Sequence, residues 1–367
     1  MVTLMSRRIR KAVLTGGGRA TRLRPITATI NKHLIPLANK PMIFHAIDKV
    51  VEVGVEEIFI NMNPGETAIR DAVGDGGHWG IKIRYFEQTG GPQGIAHVVK
   101  EAEKFIGNDP FIFYLSDNIV LGSLHELVRE YEEGGHDCVL ALSHVEDARA
   151  FGVPVFDANG RLTDVVEKPA EPPSSYAVTG IYLYGPKIFF STFDRIKKSA
   201  RGEYEISSIH SEFLKQGYKI GHREITGFWK DTGKPDDLIH ANSLLLDQLP
   251  VEAFRREGQV DPSATLNGHV HLGLGTTVGA NVRIQGPVMI GENCTLEDCT
   301  ILPHTTIGAG TTIKRATVGE SILFNNGYID ADLTIHGSII GEKARIETRK
   351  QEHVQRFILG DNTSLEV

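Results

Sequence analysis

The stretch from Lys11 to Pro25, KAVLTGGGRATRLRP, places three consecutive glycines after a short apolar run and beside three arginines. Glycines without side chains leave backbone N–H groups open in a turn, and such groups form a concave site for anions. The guanidinium groups of Arg22 and Arg24 add donors that are always charged and that match phosphate oxygens in pairs. Together with Thr21, they predict a site for a polyphosphate.

Two familiar phosphate-binding patterns do not fit this stretch. No G-K-[ST] follows the glycines, which excludes a Walker loop, and GGGRAT lacks the spacing of the dinucleotide pattern G-x-G-x-x-G. A plain glycine-rich connection with solvated arginines is the alternative that an isolated GGG leaves open.

The elements that must position this loop alternate between strand and helix up to about residue 145. Segments such as IRKAVLT, EEIFINM and PFIFYLSD are typical of strands, and PMIFHAIDKVVEVG and LHELVREYEE are typical of amphipathic helices. This alternation predicts an α/β domain with a mostly parallel sheet, whose ligands bind at the carboxyl ends of the strands. Between Val153 and Tyr184, strands follow one another without helices, which predicts an antiparallel edge or lid.

After about Arg255 the chain repeats with a period of six residues. Units that begin with an aliphatic residue, then Gly, then a small or polar residue start at Val278, Ile290 and Ile307. This pattern is typical of a parallel β-helix, and residues 258–347 would make roughly five three-sided coils. We therefore expect a first domain over residues 1–255 and a hexapeptide-repeat domain over residues 256–367, which ends in a tail containing RFILGDNTSLEV.

The totals exclude several classes of protein. A net charge of -7 over 367 residues argues against a general nucleic-acid binder, because such proteins carry a basic face. No apolar run approaches the roughly 18 residues of a membrane span, so we expect a cytoplasmic protein without a membrane partner. Cys138, Cys294 and Cys299 form no C-x-x-C pair and are expected to be ordinary buried residues.

The opening stretch resembles the signature K-A-x-x-L-A-G-G-x-G-T-R-L-x-P of the sugar-1-phosphate nucleotidyltransferases. It departs from it at Thr15, Gly16 and Ala20. The family's glycine at position 20 predicts a positive φ there, a conformation that costs alanine roughly 1 kcal/mol. Further blocks follow in the family's order up to about residue 250: NKHLIPLANKPMI, GDGGHWG, FEQTGGPQGIAHVV, YLSDNIV, FGVPVFD, VVEKPAEPPSSYAVTGIYLY, RGEYEISSIHSEFL and FWKDTG.

Within this family the blocks are most similar to the glucose-1-phosphate thymidylyltransferases of the long form. The resemblance implies a Rossmann-like nucleotidyltransferase domain with a mostly parallel mixed sheet, followed by a left-handed parallel β-helix. It implies the reaction of dTTP with glucose-1-phosphate to give dTDP-glucose and pyrophosphate. It also implies Mg2+ as cofactor, held by Asp117 and Asp231. Each aspartate, taken by itself, is better explained as a turn or helix-capping residue, and only its place in the family's blocks assigns it to the metal.

The resemblance assigns the remaining site residues by their positions in the blocks. Arg22, Lys32 and Lys168 would complete the catalytic set with the two aspartates. Nucleotide binding is assigned to Gly17, Gly18, Thr21, Arg22, Gln88 and Gly94. Sugar-phosphate binding is assigned to Gly152, Glu167, Lys168, Val178, Thr179 and Arg201. The ordinary alternatives are a surface turn at EKP, a solvated loop arginine at position 201 and a packing role for Thr179.

Three other functions stay open at this point. A glutamine amide reads an edge that thymine and uracil share, so the enzyme could be a UTP-dependent uridylyltransferase acting on glucose-1-phosphate or N-acetylglucosamine-1-phosphate. The β-helix could carry an acyltransferase that uses one of four histidines, His269, His271, His304 or His336. A catalytically silent regulatory subunit would share both domains. In each case we expect a homo-oligomer, formed through the β-helix, the catalytic domain or both.

Overall fold

The computed structural model describes residues 7–18, 20–88, 90–91 and 93–348. The chain divides into two compact units. Unit 1 comprises the described residues up to 18 and residues 43–230, and unit 2 comprises residues 20–42 and those from 231 onward. The predicted boundary at residue 255 stays a prediction, because this division groups an N-terminal segment with the C-terminal part.

The strands up to residue 231 are β1 (Lys11–Thr15), β2 (Pro36–Leu37), β3 (Lys40–Pro41), β4 (Glu57–Met62), β5 (Lys82–Glu87), β6 (Phe111–Tyr114), β7 (Asn118–Val120), β8 (Cys138–His144), β9 (Gly152–Phe156), β10 (Leu162–Glu167), β11 (Tyr176–Tyr184), β12 (Ile220–Glu224) and β13 (Trp229–Asp231). The α-helices are α1 (Met42–Glu52), α2 (Ala68–Val73), α3 (Ile95–Glu101), α4 (Glu103–Ile106), α5 (His125–Glu133), α6 (Ile188–Phe193), α7 (Ile206–Lys215) and α8 (Pro235–Gln248).

Unit 1 is built around a mixed sheet with the strand order β10-β9-β11-β6-β1-β4-β5, and β8 links β11 to β12. Strands β6, β1, β4 and β5 are parallel, as the alternation of strands and helices predicts. Strand β11 runs antiparallel to β6, β8 and β9, which accounts for the strand-rich stretch between Val153 and Tyr184. β1 lies inside the sheet between β6 and β4, and its Ala12, Val13 and Leu14 are fully buried. The predicted Rossmann-like sheet is confirmed.

The C-terminal strands of unit 2 form three parallel sheets. Their bounds are β14 (Gln259–Val260), β15 (Thr265–Asn267), β16 (Val270–Leu272), β17 (Thr277–Val278), β18 (Arg283–Gln285), β19 (Val288–Ile290), β20 (Thr295–Glu297), β21 (Thr300–Ile301), β22 (Thr305–Ile307), β23 (Thr312–Lys314), β24 (Thr317–Gly319), β25 (Ile322–Leu323), β26 (Tyr328–Asp330), β27 (Thr334–His336), β28 (Ile339–Ile340) and β29 (Arg345–Glu347).

Every third strand belongs to the same sheet, so each coil contributes one strand to each of the three faces. One stack of inward side chains is fully buried along successive coils and contains Val278, Leu296, Ile313 and Ile329. This arrangement confirms the predicted hexapeptide-repeat fold and is consistent with the left-handed β-helix that the resemblance implies. The predicted tail lies outside the described residues.

Unit 2 also contains the N-terminal segment 20–42 and α8. The segment holds the 3-10 turns Thr21–Leu23, Ile26–Ala28 and Lys32–Leu34, followed by a hairpin in which β2 pairs with β3. The Ala38 amide of the hairpin donates to Asn242 of α8, and the side chains of Asn39 and Asn242 each donate to a carbonyl of the coils. The β-helix is therefore packed against the segment that contains Arg22 and Lys32.

Two further sequence-based expectations can be compared with the structure. All three cysteines are buried and unpaired, as predicted. In the part of the chain that the structure describes, no helix is both long enough and apolar enough to cross a membrane.

Candidate active site

The glycine loop is held by two asparagines at the end of β4, Asn61 within the strand and Asn63 directly after it. The Gly16 amide donates to Asn61 Oδ1 at 3.1 Å, and the Gly18 amide donates to Asn63 Oδ1 at 2.9 Å. Two of the three amides are thus engaged, whereas the sequence predicts a loop with bare N–H groups. A phosphate at Gly18 would have to displace the Asn63 side chain.

Contacts to neighbouring strands explain two of the three departures of this loop from the family signature, those at Thr15 and Gly16. The Thr15 hydroxyl accepts a hydrogen bond from the Ser116 amide at 2.9 Å, which joins the end of β1 to the end of β6. A Cβ atom at Gly16 would lie 2.7 Å from the Asn61 carbonyl oxygen, so close packing against β4 requires glycine there. Ala20 has φ 42° and ψ 45°, which confirms that this position has a left-handed backbone conformation.

Arg22 and Asp231 both lie close to Gly233 within unit 2. A Cβ atom built on Gly233 would lie 3.4 Å from Asp231 Oδ2 and 4.0 Å from an Arg22 guanidinium nitrogen. Thr21 and Arg22 are exposed in the 3-10 turn Thr21–Leu23. Lys32 begins another such turn, in which the Asn31 side chain accepts a hydrogen bond from the His33 amide at 2.9 Å. The structure therefore brings a predicted phosphate ligand and a predicted metal ligand together.

Asp117 is oriented by a buried asparagine that the sequence analysis did not identify. Asn118 Nδ2 donates to Asp117 Oδ1 at 3.0 Å. The Oδ1 atom of Asn118 accepts from Trp229 Nε1 at 2.7 Å and from the Gly180 amide at 3.2 Å. The only sequence signal for this role was the motif position, since Asn118 lies in the YLSDN block and Trp229 in the FWKDTG block.

The donor set fits Mg2+ but not a metal held by protein alone. Among the described residues, no group of three or more His, Cys, Asp or Glu side chains could hold a metal ion. Mg2+ keeps several waters and is usually bound by one or two carboxylates together with substrate phosphates. Asp117 and Asp231 are both partly accessible, so each could contribute one such carboxylate.

The candidate base-reading residues lie beside helix α3. Gln88 Nε2 is 3.3 Å from His97 Nδ1. Burial lowers the pKa of His97, which favours the neutral ring that can accept a hydrogen bond from the glutamine amide. Gly94 has φ 95°, and a Cβ there would lie 2.6 Å from the Tyr204 carbonyl oxygen. Backbone packing alone therefore requires this glycine, and its contact with a base stays a prediction.

The predicted sugar-phosphate residues meet at the paired strands β9, β10 and β11. Gly152 pairs with Glu167 on one side and with Val178 on the other. Glu167 Oε1 lies 3.6 Å from Lys168 Nζ and 3.4 Å from an Arg201 guanidinium nitrogen. The structure thus places two cations around one carboxylate, beside a glycine.

Three of these residues show what holds the cluster in place. Lys168 has φ 45°, and its amide donates to the Phe151 carbonyl at 2.9 Å. Strained backbone of this kind is often retained at functional sites. Burial opposes the charge of Arg201, but its hydrogen bond to Glu205 and the nearby carboxylates outweigh this and raise its pKa. Thr179 is fully buried and donates to the Ala141 carbonyl at 2.9 Å, so its side chain packs within the sheet and its contact with a sugar stays a prediction.

The four histidines considered as acyltransfer bases differ in their surroundings. His269 stacks on Phe254 with ring centroids 5.1 Å apart, and His271 Nδ1 accepts from the Arg255 amide at 3.3 Å. His336 lies beside Gly319. Within the described residues, His304 alone among the four lies against a carboxylate, since its Nε2 is 2.9 Å from Asp247 Oδ1.

Known proteins resemble this chain both in sequence and in structure. Residues 11–248 match the Nucleotidyl transferase family. Glucose-1-phosphate thymidylyltransferase of Streptomyces antibioticus is 35% identical over 359 residues, which cover 97% of this chain and 99% of that protein. A solved structure of a proposed glucose-1-phosphate thymidylyltransferase from Bacillus anthracis, in complex with a sucrose, has 36% identity and a TM-score of 0.60. The match covers 64% of this chain and 94% of the Bacillus anthracis chain.

A second solved structure is similar at lower identity. UDP-glucose pyrophosphorylase complexed with UDP-glucose has 25% identity and a TM-score of 0.57, and the match covers 66% of this chain and 100% of that one. The family match covers well over half of the present chain, and the Streptomyces relative is matched along nearly its whole length. The chain therefore belongs to the Nucleotidyl transferase family and is a sugar-1-phosphate nucleotidyltransferase.

Proposed function

We propose that the protein transfers a thymidylyl group from dTTP to glucose-1-phosphate, giving dTDP-glucose and pyrophosphate. The observation that carries the proposal is the cluster in which Lys168 and Arg201 flank Glu167 beside Gly152. Two cations can bind the phosphate of the acceptor, and a carboxylate beside them can accept hydrogen bonds from hexose hydroxyls. The Streptomyces relative, named as this enzyme, supports the same substrates.

The proposed reaction is a direct displacement at the α-phosphorus of the triphosphate. A phosphate oxygen of glucose-1-phosphate forms the new P–O bond, and the bond from the α-phosphorus to the bridging oxygen of pyrophosphate breaks. The nucleophile is already an anion at neutral pH, so no general base is required. Catalysis then consists of aligning two anions and stabilising their charge.

Each group has one task in this proposal. Arg22 and Lys32 hold the triphosphate and stabilise the negative charge on the departing pyrophosphate, while Gly17, Gly18 and Thr21 line the phosphates. Mg2+, when bound by Asp117 and Asp231, would neutralise charge on the α-phosphate. Gln88 and Gly94 contact the base, and the backbone of Gly152, Val178 and Thr179 faces the sugar. A homo-oligomer is part of the same proposal.

A uridylyltransferase is the second candidate, and the position of Gln88 favours keeping it. A glutamine amide pairs with the N3–H and O4 edge that thymine and uracil have in common. One methyl group in an apolar pocket contributes only about 1 to 3 kcal/mol of discrimination. The likeness to UDP-glucose pyrophosphorylase supports this candidate as well.

Pyrophosphate release from the purified protein with Mg2+ tests the proposal. The assay crosses dTTP, UTP, GTP, CTP and ATP with glucose-1-phosphate and with N-acetylglucosamine-1-phosphate. We expect the highest kcat/KM with dTTP and glucose-1-phosphate. A preference for UTP would replace the nucleotide and keep the mechanism, whereas no release with any pair would favour the silent regulatory subunit.

Replacing Lys168 with alanine is expected to raise KM for glucose-1-phosphate about 10- to 100-fold, because a charged hydrogen bond contributes about 1.5 to 3 kcal/mol. KM for dTTP should change less than twofold. Lys187→Ala is the matched control, since Lys187 is an exposed lysine that also has a positive φ, 65°. An unchanged KM for glucose-1-phosphate in Lys168→Ala would remove Lys168 from the acceptor site.

A further inference from the structure

The two-residue turn of the hairpin in unit 2 has a strained backbone. Ala38 has φ 48° and Asn39 has φ 57°, values that hairpin turns usually reserve for glycine and asparagine. Ala38 is also 94% buried, with 6% of its surface exposed. An alanine in this conformation persists only where the surroundings hold it.

Two amide side chains supply those surroundings. Asn39 Nδ2 donates to the Ile307 carbonyl at 2.9 Å and to the Met289 carbonyl at 3.3 Å, so it joins the turn to two successive coils. Asn242 Oδ1 accepts from the Ala38 amide at 2.8 Å, and Asn242 Nδ2 donates to the His304 carbonyl at 3.2 Å. The turn is thereby attached to both α8 and the β-helix.

Asn242 is fully buried in the middle of α8, where its helix propensity is poor. Its side chain makes a third hydrogen bond, which Oδ1 accepts from the Thr306 hydroxyl at 3.3 Å. A buried amide with several specific partners fixes one arrangement of the groups around it. Beside these anchors the packing is open. A groove of about 330 Å³ lies there, and its lining includes Ile30, Leu34 and Phe324.

A short, hydrogen-bonded stretch of chain joins the anchored turn to the proposed phosphate ligands. The Met42 amide donates to the Ile35 carbonyl at 3.0 Å, which closes the hairpin directly after the turn Lys32–Leu34. Ile35 and Leu37 are fully buried. A shift of the hairpin would therefore move Lys32, and the same segment continues back to Arg22.

We propose that Asn39 and Asn242 are positioning residues for nucleotide binding. By anchoring the hairpin turn to α8 and the coils, they hold the segment 20–42 so that Arg22 and Lys32 meet the triphosphate. This gives the β-helix a direct role in the affinity for nucleotide. The inference rests on the proposed function.

The test uses the full-length protein with Asn39→Gly and Asn39→Asp. Glycine adopts a positive φ without strain but lacks the amide, and aspartate keeps the shape but cannot donate to the two carbonyls. Asn281→Gly is the matched control, because Asn281 is an exposed residue of the coils with φ 60°. Within the described residues, its side-chain amide donates to Asp298. KM for dTTP, KM for glucose-1-phosphate, kcat and Tm are measured for each.

We expect Asn39→Gly to raise KM for dTTP about tenfold, and Asn39→Asp to raise it further, with KM for glucose-1-phosphate within twofold of wild type. Asn281→Gly should have wild-type constants. If both variants at position 39 keep the wild-type KM for dTTP, or raise the two KM values equally, the positioning role is wrong while the proposed function stands. Wild-type protein that releases no pyrophosphate would overturn the proposed function and this inference with it.

Discussion

Replacing Asp117 with asparagine is expected to lower kcat at least about 100-fold at saturating Mg2+. The change removes one negative charge at a position proposed to hold the metal, and an amide is a much weaker ligand for Mg2+. The fold should tolerate it, because Asp117 is only partly buried and an asparagine oxygen can still accept the hydrogen bond that Asn118 Nδ2 donates to Asp117 Oδ1. Steady-state pyrophosphate release, with Mg2+ varied over a wide range, measures the effect.

Asp194→Asn is a suitable control for this experiment. Asp194 follows α6, and 78% of its side chain is exposed, so its substitution makes the same change in net charge at a residue with no proposed role in the site. We expect Asp194→Asn to keep kcat within twofold of wild type. Wild-type turnover by Asp117→Asn would exclude Asp117 as a metal ligand. A loss in both variants would point to a general effect of charge.

The repeat and the sheet could be predicted from sequence because each depends on local pattern. Aliphatic residues at a fixed period predict the buried stacks of the β-helix, and about five coils are indeed present. The paired residues of successive coils are nevertheless separated by unequal numbers of residues. Thr277 pairs with Thr295, but Thr312 pairs with Tyr328 and Tyr328 with Arg345, so the later coils are shorter than three hexapeptides.

The polar contacts around the site could not be predicted, because their partners are distant in the sequence. Asn61 and Asn63 engage the glycine amides from the end of β4, 45 residues further along the chain. Asn242 reaches Ala38 across 204 residues. In the sequence, these three asparagines look like ordinary turn or helix-surface residues. A single sequence therefore gives no signal for their hydrogen bonds. The sequence predicted a loop after β1, which is present, but not the hydrogen bonds of its amides, and phosphate binding there stays a prediction.

Acidification is expected to destabilise unit 1 through His210, which is fully buried in α7. Its Nε2 is 2.9 Å from the Tyr184 hydroxyl, and within the described residues its Nδ1 has no hydrogen-bond partner. Burial lowers the pKa of His210 to about 3. The rings of Tyr182, Tyr184 and Phe213 lie against the imidazole, and no ion pair to His210 is found in the described part of the chain.

The sign of the pH dependence follows from this lowered pKa. The unfolded chain binds a proton at His210 below about pH 6.5, whereas the folded chain does so only near pH 3. Between these values the unfolded state holds more protons, so the free energy of unfolding decreases as the pH falls. For this one group the loss is about 2 kcal/mol between pH 7 and pH 5.

Urea unfolding followed by tryptophan fluorescence can measure this loss in unit 1, since both tryptophans of the chain, Trp79 and Trp229, belong to it. His210→Gln keeps a hydrogen-bonding group near Tyr184 but cannot titrate, so its unfolding free energy should fall by about 2 kcal/mol less than that of wild type over the same range. His125→Gln removes an exposed histidine and should retain the wild-type slope. Equal slopes in His210→Gln and wild type would mean that His210 is protonated in the folded protein near its ordinary pKa, and that the acid sensitivity arises elsewhere.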